Sequence, residues 1–159
     1  MALDARYVHT NLIARDWRRL ARFYQDVFGC TPVPPERDYA GADLERGTGV
    51  AGARLTGAHL RLPGVGPDGP TLELFQYEPA APPVAPSIHR PGFGHIAFAV
   101  GDVPAARAEV ISHGGSAIAE VVTLRLATGQ AVEWCYVADP EGNGIELQTW
   151  REPDGEERR

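Results

Sequence analysis

Two short stretches of the sequence each carry a histidine at the head of an apolar strand: "YVHTNLIA" with His9 and "GHIAFAVGD" with His95. Two others, "TLELFQY" and "GIELQTW", each carry a carboxylate, Glu73 and Glu146, between apolar neighbours. Side chains alternate across a strand, so residues two apart share a face. Leu72 and Leu74 then share one face, and Glu73, Phe75 and Tyr77 the other. Ile145 and Leu147 oppose Glu146 and Gln148 in the same way. Applied to all four strands, the rule sends His9, Glu73, His95 and Glu146 to one side of a sheet. Each residue alone would read as an ordinary surface or half-buried strand position. Together, two imidazoles and two carboxylates suit a divalent transition metal, and on an octahedral ion they leave two adjacent positions open. A carboxylate facing a cavity is costly unless it is paired, solvated or metal-bound.

The elements that must hold these residues come in two copies. Residues 9–29 align with 95–115 at a constant offset, placing His9 over His95, Asp16 over Asp102 and Gly29 over Gly115. Identities that fall at positions with structural jobs point to an internal duplication. In the first copy a strand leads to Asp16, an N-cap, and then to Trp17, Leu20, Ala21, Tyr24, Val27 and Phe28 at helical spacing. In the second, Asp102 caps a helix with Val103, Ala106 and Val110 on its apolar face. Gly114 and Gly115 stop it. Further strands are expected near 30–35, over 57–64 and 71–78, near 117–123, and in "AVEWCYVAD" and "GIELQTW", the last two joined by the turn "DPEGN". Residues 36–56 suggest a short helix and a loop. The expected fold is α+β: two tandem βαβββ modules, 7–78 and 93–150, forming one curved, half-open mixed sheet with helices on its outer face. A Pro-rich linker, 79–92, joins the modules within a single domain, and a charged tail spans 151–159.

Composition narrows the chemistry. The chain has 159 residues, 43% hydrophobic and 23% charged, in the range of a globular domain. A net charge of −6 argues against nucleic acid as a partner, because phosphate contacts need a basic face. No apolar run reaches the roughly 20 residues of a membrane span. The N-terminus lacks the sections of a signal peptide, so the expected location is cytoplasmic. All fifteen basic residues are arginine, which removes Schiff-base chemistry and the P-loop, each of which needs an amine. No serine lies in a G-x-S-x-G context, and no G-x-G-x-x-G follows a strand. Cys30 and Cys135 lie far apart among apolar neighbours and read as buried thiols.

In this order and spacing, "HTNLIARD…FYQDVFG", "TLELFQY", "GHIAFAVGD" and "VADPEGNGIELQ" resemble the vicinal oxygen chelate superfamily. That group includes glyoxalase I, methylmalonyl-CoA epimerase, extradiol dioxygenases, fosfomycin resistance enzymes and bleomycin-binding proteins. The resemblance covers about residues 7–150. It implies that His9, Glu73, His95 and Glu146 are metal ligands, in a His/Glu/His/Glu set similar to that of glyoxalase I. It also implies one divalent ion (Ni, Co, Mn, Zn or Fe) and a small-molecule substrate with vicinal oxygens, handled by a homodimer. The implied chemistry is removal of a proton next to a metal-chelated carbonyl, giving isomerisation or epimerisation, with Glu146 the first candidate base and Glu73 the second. Strand phase adds Asn11, His59, Arg61, Phe75, Tyr77 and Gln148 as substrate-side residues. Two alternatives stand beside this reading. One is an Fe(II) extradiol-type dioxygenase, against which Glu73 counts; the other is a metal-free drug-binding protein, against which the ligand set counts.

Overall fold

The computed structural model describes residues 3–82, 84 and 87–153. The chain divides into two compact units, Met1–Pro83 and Val84–Arg159. In unit 1 the elements run β1 (His9–Ile13), α1 (Trp17–Phe28), β2 (Thr31–Ala40), α2 (Ala42–Thr48), β3 (Arg54–Arg61) and β4 (Thr71–Glu78). Unit 2 runs β5 (His95–Ala99), α3 (Val103–Ser112), β6 (Ser116–Ala117), β7 (Val122–Arg125), β8 (Ala131–Ala138) and β9 (Gly144–Arg151). The class is α+β with open sheets, as expected from the sequence, and hydrogen bonding resolves one sheet in each unit. Their strand orders match: β1-β4-β3-β2 in the first, β5-β9-β8-β6 in the second, with β7 also paired to β8. In both, the first strand lies parallel to the last, while the remaining pairs are antiparallel. The duplication seen in the sequence is therefore a duplication of topology.

Each helix covers one face of its own sheet. Leu20 and Tyr24 of α1 are fully buried, and α1 packs on β3 and β4. The sheet residues buried in this unit include Leu12, Leu60, Leu72 and Leu74. In unit 2, Val103 and Val110 of α3 are buried and the helix packs on β8 and β9, where Cys135, Val137, Ile145 and Leu147 are buried too. Burying these apolar faces fixes strand phase, because a slip of one residue would turn every side chain to the other face. Both caps form as read. The Asp16 carboxylate accepts from the Arg19 N–H at 3.0 Å and that of Asp102 from the Ala105 N–H at 2.8 Å. Gly29 ends α1 in the left-handed conformation, at φ 68°. The end of α3 differs from expectation. His113 is its cap and Gly114 takes the positive φ. Gly115 serves packing instead, since a Cβ there would lie 2.5 Å from the Ala138 carbonyl oxygen and 2.6 Å from Val110.

Four other segments depart from the sequence reading, among them β3, which runs Arg54–Arg61 rather than 57–64. β2 continues to Ala40, through residues expected to be a loop, with a register shift between Val33 and Arg37. It is an edge strand, where Pro32, Pro34 and Pro35 need donate nothing to a neighbour. Helix α2 supplies the short helix expected within 36–56. The single strand expected near 117–123 is two, β6 and β7, both paired to β8. Arg151, placed in the charged tail, closes β9; residues 154–159 of that tail lie outside the described residues, as do 83, 85 and 86 of the linker. Among the described residues no helix is long and apolar enough to cross a membrane.

Cys30 and Cys135 are buried and unbridged, and burial pushes the Cys30 thiol up to about 11. A thiol reagent at pH 8 should leave both unmodified in the native protein and titrate both in denaturant. Replacing Leu74 by Ala should cost about 2–5 kcal/mol, and Asp16 by Ala about 1 kcal/mol, read as shifts in the urea unfolding midpoint.

Candidate metal centre

In unit 1, β4 lies between β1 and β3, so Glu73 has a neighbour strand on each side. The parallel register sets His9 beside Thr71, two residues before Glu73 and therefore on the same face. The antiparallel register sets His59 directly opposite Glu73. The carboxylate meets both imidazoles: His9 Nε2 is 3.4 Å from Oε2, and His59 Nε2 is 2.9 Å from Oε1. Asn11, opposite Glu73 on β1, donates its side-chain amide to Oε2 at 2.8 Å. The other ring nitrogen of His59, Nδ1, is 2.9 Å from the Thr71 hydroxyl. One potential ligand atom from each of His9, His59 and Glu73 falls within 4.8 Å of the other two. Burial pulls the His59 pKa down against the opposing pull of the Glu73 charge, which favours the neutral ring a metal requires.

Unit 2 repeats this frame with different side chains. His95 lies beside Gly144, two residues before Glu146, and its Nε2 is 3.2 Å from Glu146 Oε2. The position of His59 is taken by Tyr136, opposite Glu146 on β8. Its phenol is raised by burial, by the Glu146 charge and by their hydrogen bond, so the hydroxyl is protonated and donates to the carboxylate. Its ring packs against His95 and Trp134, with centroids 5.0 Å away in each case. The turn before β9 is tied by Asp139, whose carboxylate accepts from the Glu141 and Asn143 N–H groups and the Asn143 amide. That turn sets the register of Glu146 against β8.

The remaining residues singled out from strand phase take up varied positions. Phe75 is buried, its ring edge-on to His59 at 6.2 Å. Tyr77 is half-buried near the end of β4. The Arg61 guanidinium donates to the Gly66 and Pro67 carbonyls of the β3–β4 loop. Gln148 accepts from the Trp150 indole at 2.8 Å. His59, expected from strand phase to face the cavity, lies on the face of Glu73 and meets its carboxylate. Tyr136 is not among the residues that strand phase alone singles out. The buried Cys135 and Val137 that flank Tyr136 were the signal that turns it to the same face as Glu146.

The sequence matches the family model described as the Glyoxalase/Bleomycin resistance protein/Dioxygenase superfamily over residues 6–147, and the chain belongs to that family. A glyoxalase family protein from Bacillus cereus has the same fold at 18% identity, covering 93% of this chain and 97% of its own, with a TM-score of 0.75. The trypanothione-dependent glyoxalase I of Leishmania major superimposes with a TM-score of 0.54 at 24% identity, covering 95% and 88%. A glyoxalase I variant from Zea mays matches at 25% identity and a TM-score of 0.57, covering 90% of this chain and 44% of that one. No curated protein matches.

Thr71→Val removes the hydroxyl that meets His59 Nδ1. Glu73 still accepts from Nε2–H, so in ¹⁵N NMR of the metal-free protein His59 should keep its Nε2–H tautomer while the bare Nδ1 resonance shifts, with His95 unchanged.

Proposed function

We propose that the protein is a divalent-metal-dependent enzyme that moves a proton at a carbon next to a carbonyl of a small molecule with vicinal oxygens, giving isomerisation or epimerisation. The observation that carries this reading is the repeated pair: a histidine on the first strand of each unit and a glutamate on the last, on one face and in contact. His9, Glu73, His95 and Glu146 would hold the ion. Their donor set, imidazole nitrogen and carboxylate oxygen, fits a first-row divalent metal such as Ni, Co, Mn, Zn or Fe. A bound ion of this kind supplies Lewis-acid polarisation of the substrate oxygens.

The chain's own carboxylates do the proton work. Glu146 takes the proton from carbon, as the resemblance to glyoxalase I suggests, and returns it to the same or a neighbouring carbon. Glu73 is the second base, and its use on the opposite side would make the outcome an epimerisation. The Tyr136 hydroxyl holds Glu146 in place by its hydrogen bond. Asn11 does the same for Glu73. The reading sets this enzyme in the cytoplasm as a homodimer.

Incubating the metal-loaded protein with small α-hydroxy carbonyl compounds and thioesters in D₂O, and following C–H loss by NMR, tests the reaction class. Exchange at the carbon next to the carbonyl is expected, falling about 10²–10⁴-fold in Glu146→Gln. Wild-type exchange in that variant would remove Glu146 as the base. Elemental measurement should give about one ion per chain; folded protein that binds none would point to ligand sequestration instead. Tight iron with O₂ uptake on aromatic diols would point to a dioxygenase.

A further inference from the structure

We infer that unit 1 is a metal site in its own right, in which His9, His59 and Glu73 together hold a divalent transition-metal ion and His59 is a ligand rather than a substrate contact. The inference rests on the proposed reading for the class of ion, but it uses residues of unit 1 alone.

Donor spacing is the first argument. Ligand bonds of about 2.0–2.1 Å at tetrahedral to octahedral angles place neighbouring donor atoms about 2.9–3.4 Å apart. Each imidazole meets its own carboxylate oxygen in this range, His59 Nε2 to Glu73 Oε1 at 2.9 Å and His9 Nε2 to Oε2 at 3.4 Å. One ligand atom from each of the three lies within 4.8 Å of the others, so small side-chain shifts bring them to one ion. Two imidazoles and a carboxylate with open positions beside them form a donor set that iron and zinc both use.

The surroundings of His59 are the second. A ligating histidine usually has its other ring nitrogen hydrogen-bonded, which fixes the ring and the tautomer. The Thr71 hydroxyl does this at 2.9 Å, and Asn11 does the equivalent for the carboxylate at 2.8 Å. The hydroxyl also suits both states of the ring. Without metal, Nε2–H donates to Glu73 and the Thr71 hydroxyl donates to Nδ1. With Nε2 on a metal, the proton sits on Nδ1 and the same oxygen accepts it. No rotamer need change between the two.

Unit 2 supplies the contrast. At the positions equivalent to His59, Thr71 and Asn11 it has Tyr136, Gly144 and Ala97. Its frame brings two metal-ligating side chains together, where that of unit 1 brings three.

The test uses full-length protein. In His95→Ala/Glu146→Ala, Co²⁺ or Zn²⁺ titration followed by desalting and elemental measurement should still give about one ion per chain. Adding His59→Asn to that double variant should abolish binding, with circular dichroism verifying the fold. Adding Thr71→Val instead should weaken binding about 10–100-fold. Zn²⁺ should also shift the His59 imidazole nitrogens in the double variant. If the wild type binds an ion and the folded double variant binds none, the inference falls and the four-ligand reading stands. If the double variant binds as tightly as wild type, the inference stands and His95 and Glu146 leave the ligand set. Retained binding after His59→Asn in the double variant overturns the inference, and a wild type that binds no ion overturns both.

Discussion

Everything in the candidate site depends on a carboxylate carried by a strand that has a neighbour on each side. β4 takes β1 in parallel and β3 in antiparallel pairing, so Glu73 is reached from both directions. β9 does the same for Glu146 with β5 and β8. The opposite face of each strand is buried against a helix, through Leu72 and Leu74 in one unit and Ile145 and Leu147 in the other. Core packing thus decides where the acid points. The carboxylate-bearing face needs no energy of its own to hold that direction.

On this shared frame the two units have diverged at a few register positions. Unit 1 meets its carboxylate with nitrogen groups from Asn11, His9 and His59, the last backed by the Thr71 hydroxyl. Unit 2 sets Tyr136 against its own, with Trp134 packed on that ring, and leaves a glycine beside its histidine. Gly144 is itself closely confined, since a Cβ there would lie 3.0 Å from the Gly94 carbonyl oxygen. The duplicated backbone has kept its geometry while its two acids have come to sit in unlike environments.

Most of this frame was legible in the sequence because its signals are local. Helical spacing from Trp17 to Phe28, the two Asp caps and the alternation in "TLELFQY" each need only a short window. What was hidden depends on partners distant in the chain. That His59 faces Glu73 follows from the length and path of the 62–70 connection, which periodicity does not encode. Tyr136 was obscured because both faces of β8 carry apolar residues, Cys135 and Val137 with Glu133 on one and Trp134 with Tyr136 on the other, and only the burial of Cys135 and Val137 fixes which turns inward. β2 was cut short because its prolines and charges look like a loop, and only its pairing with β3 makes it a strand.

Those prolines have a consequence for how the molecule behaves among its own kind. Strand β2 forms one border of the first sheet, and a border of unpaired amides invites another chain to add itself. Pro32, Pro34 and Pro35 strip three donors from a ten-residue strand, and the bulge before Arg37 breaks its regular line. Glu36, Arg37 and Asp38 then follow as charged side chains. A border built this way is a poor template for fibril growth, so solubility is written into the same strand whose irregularity hid it from view.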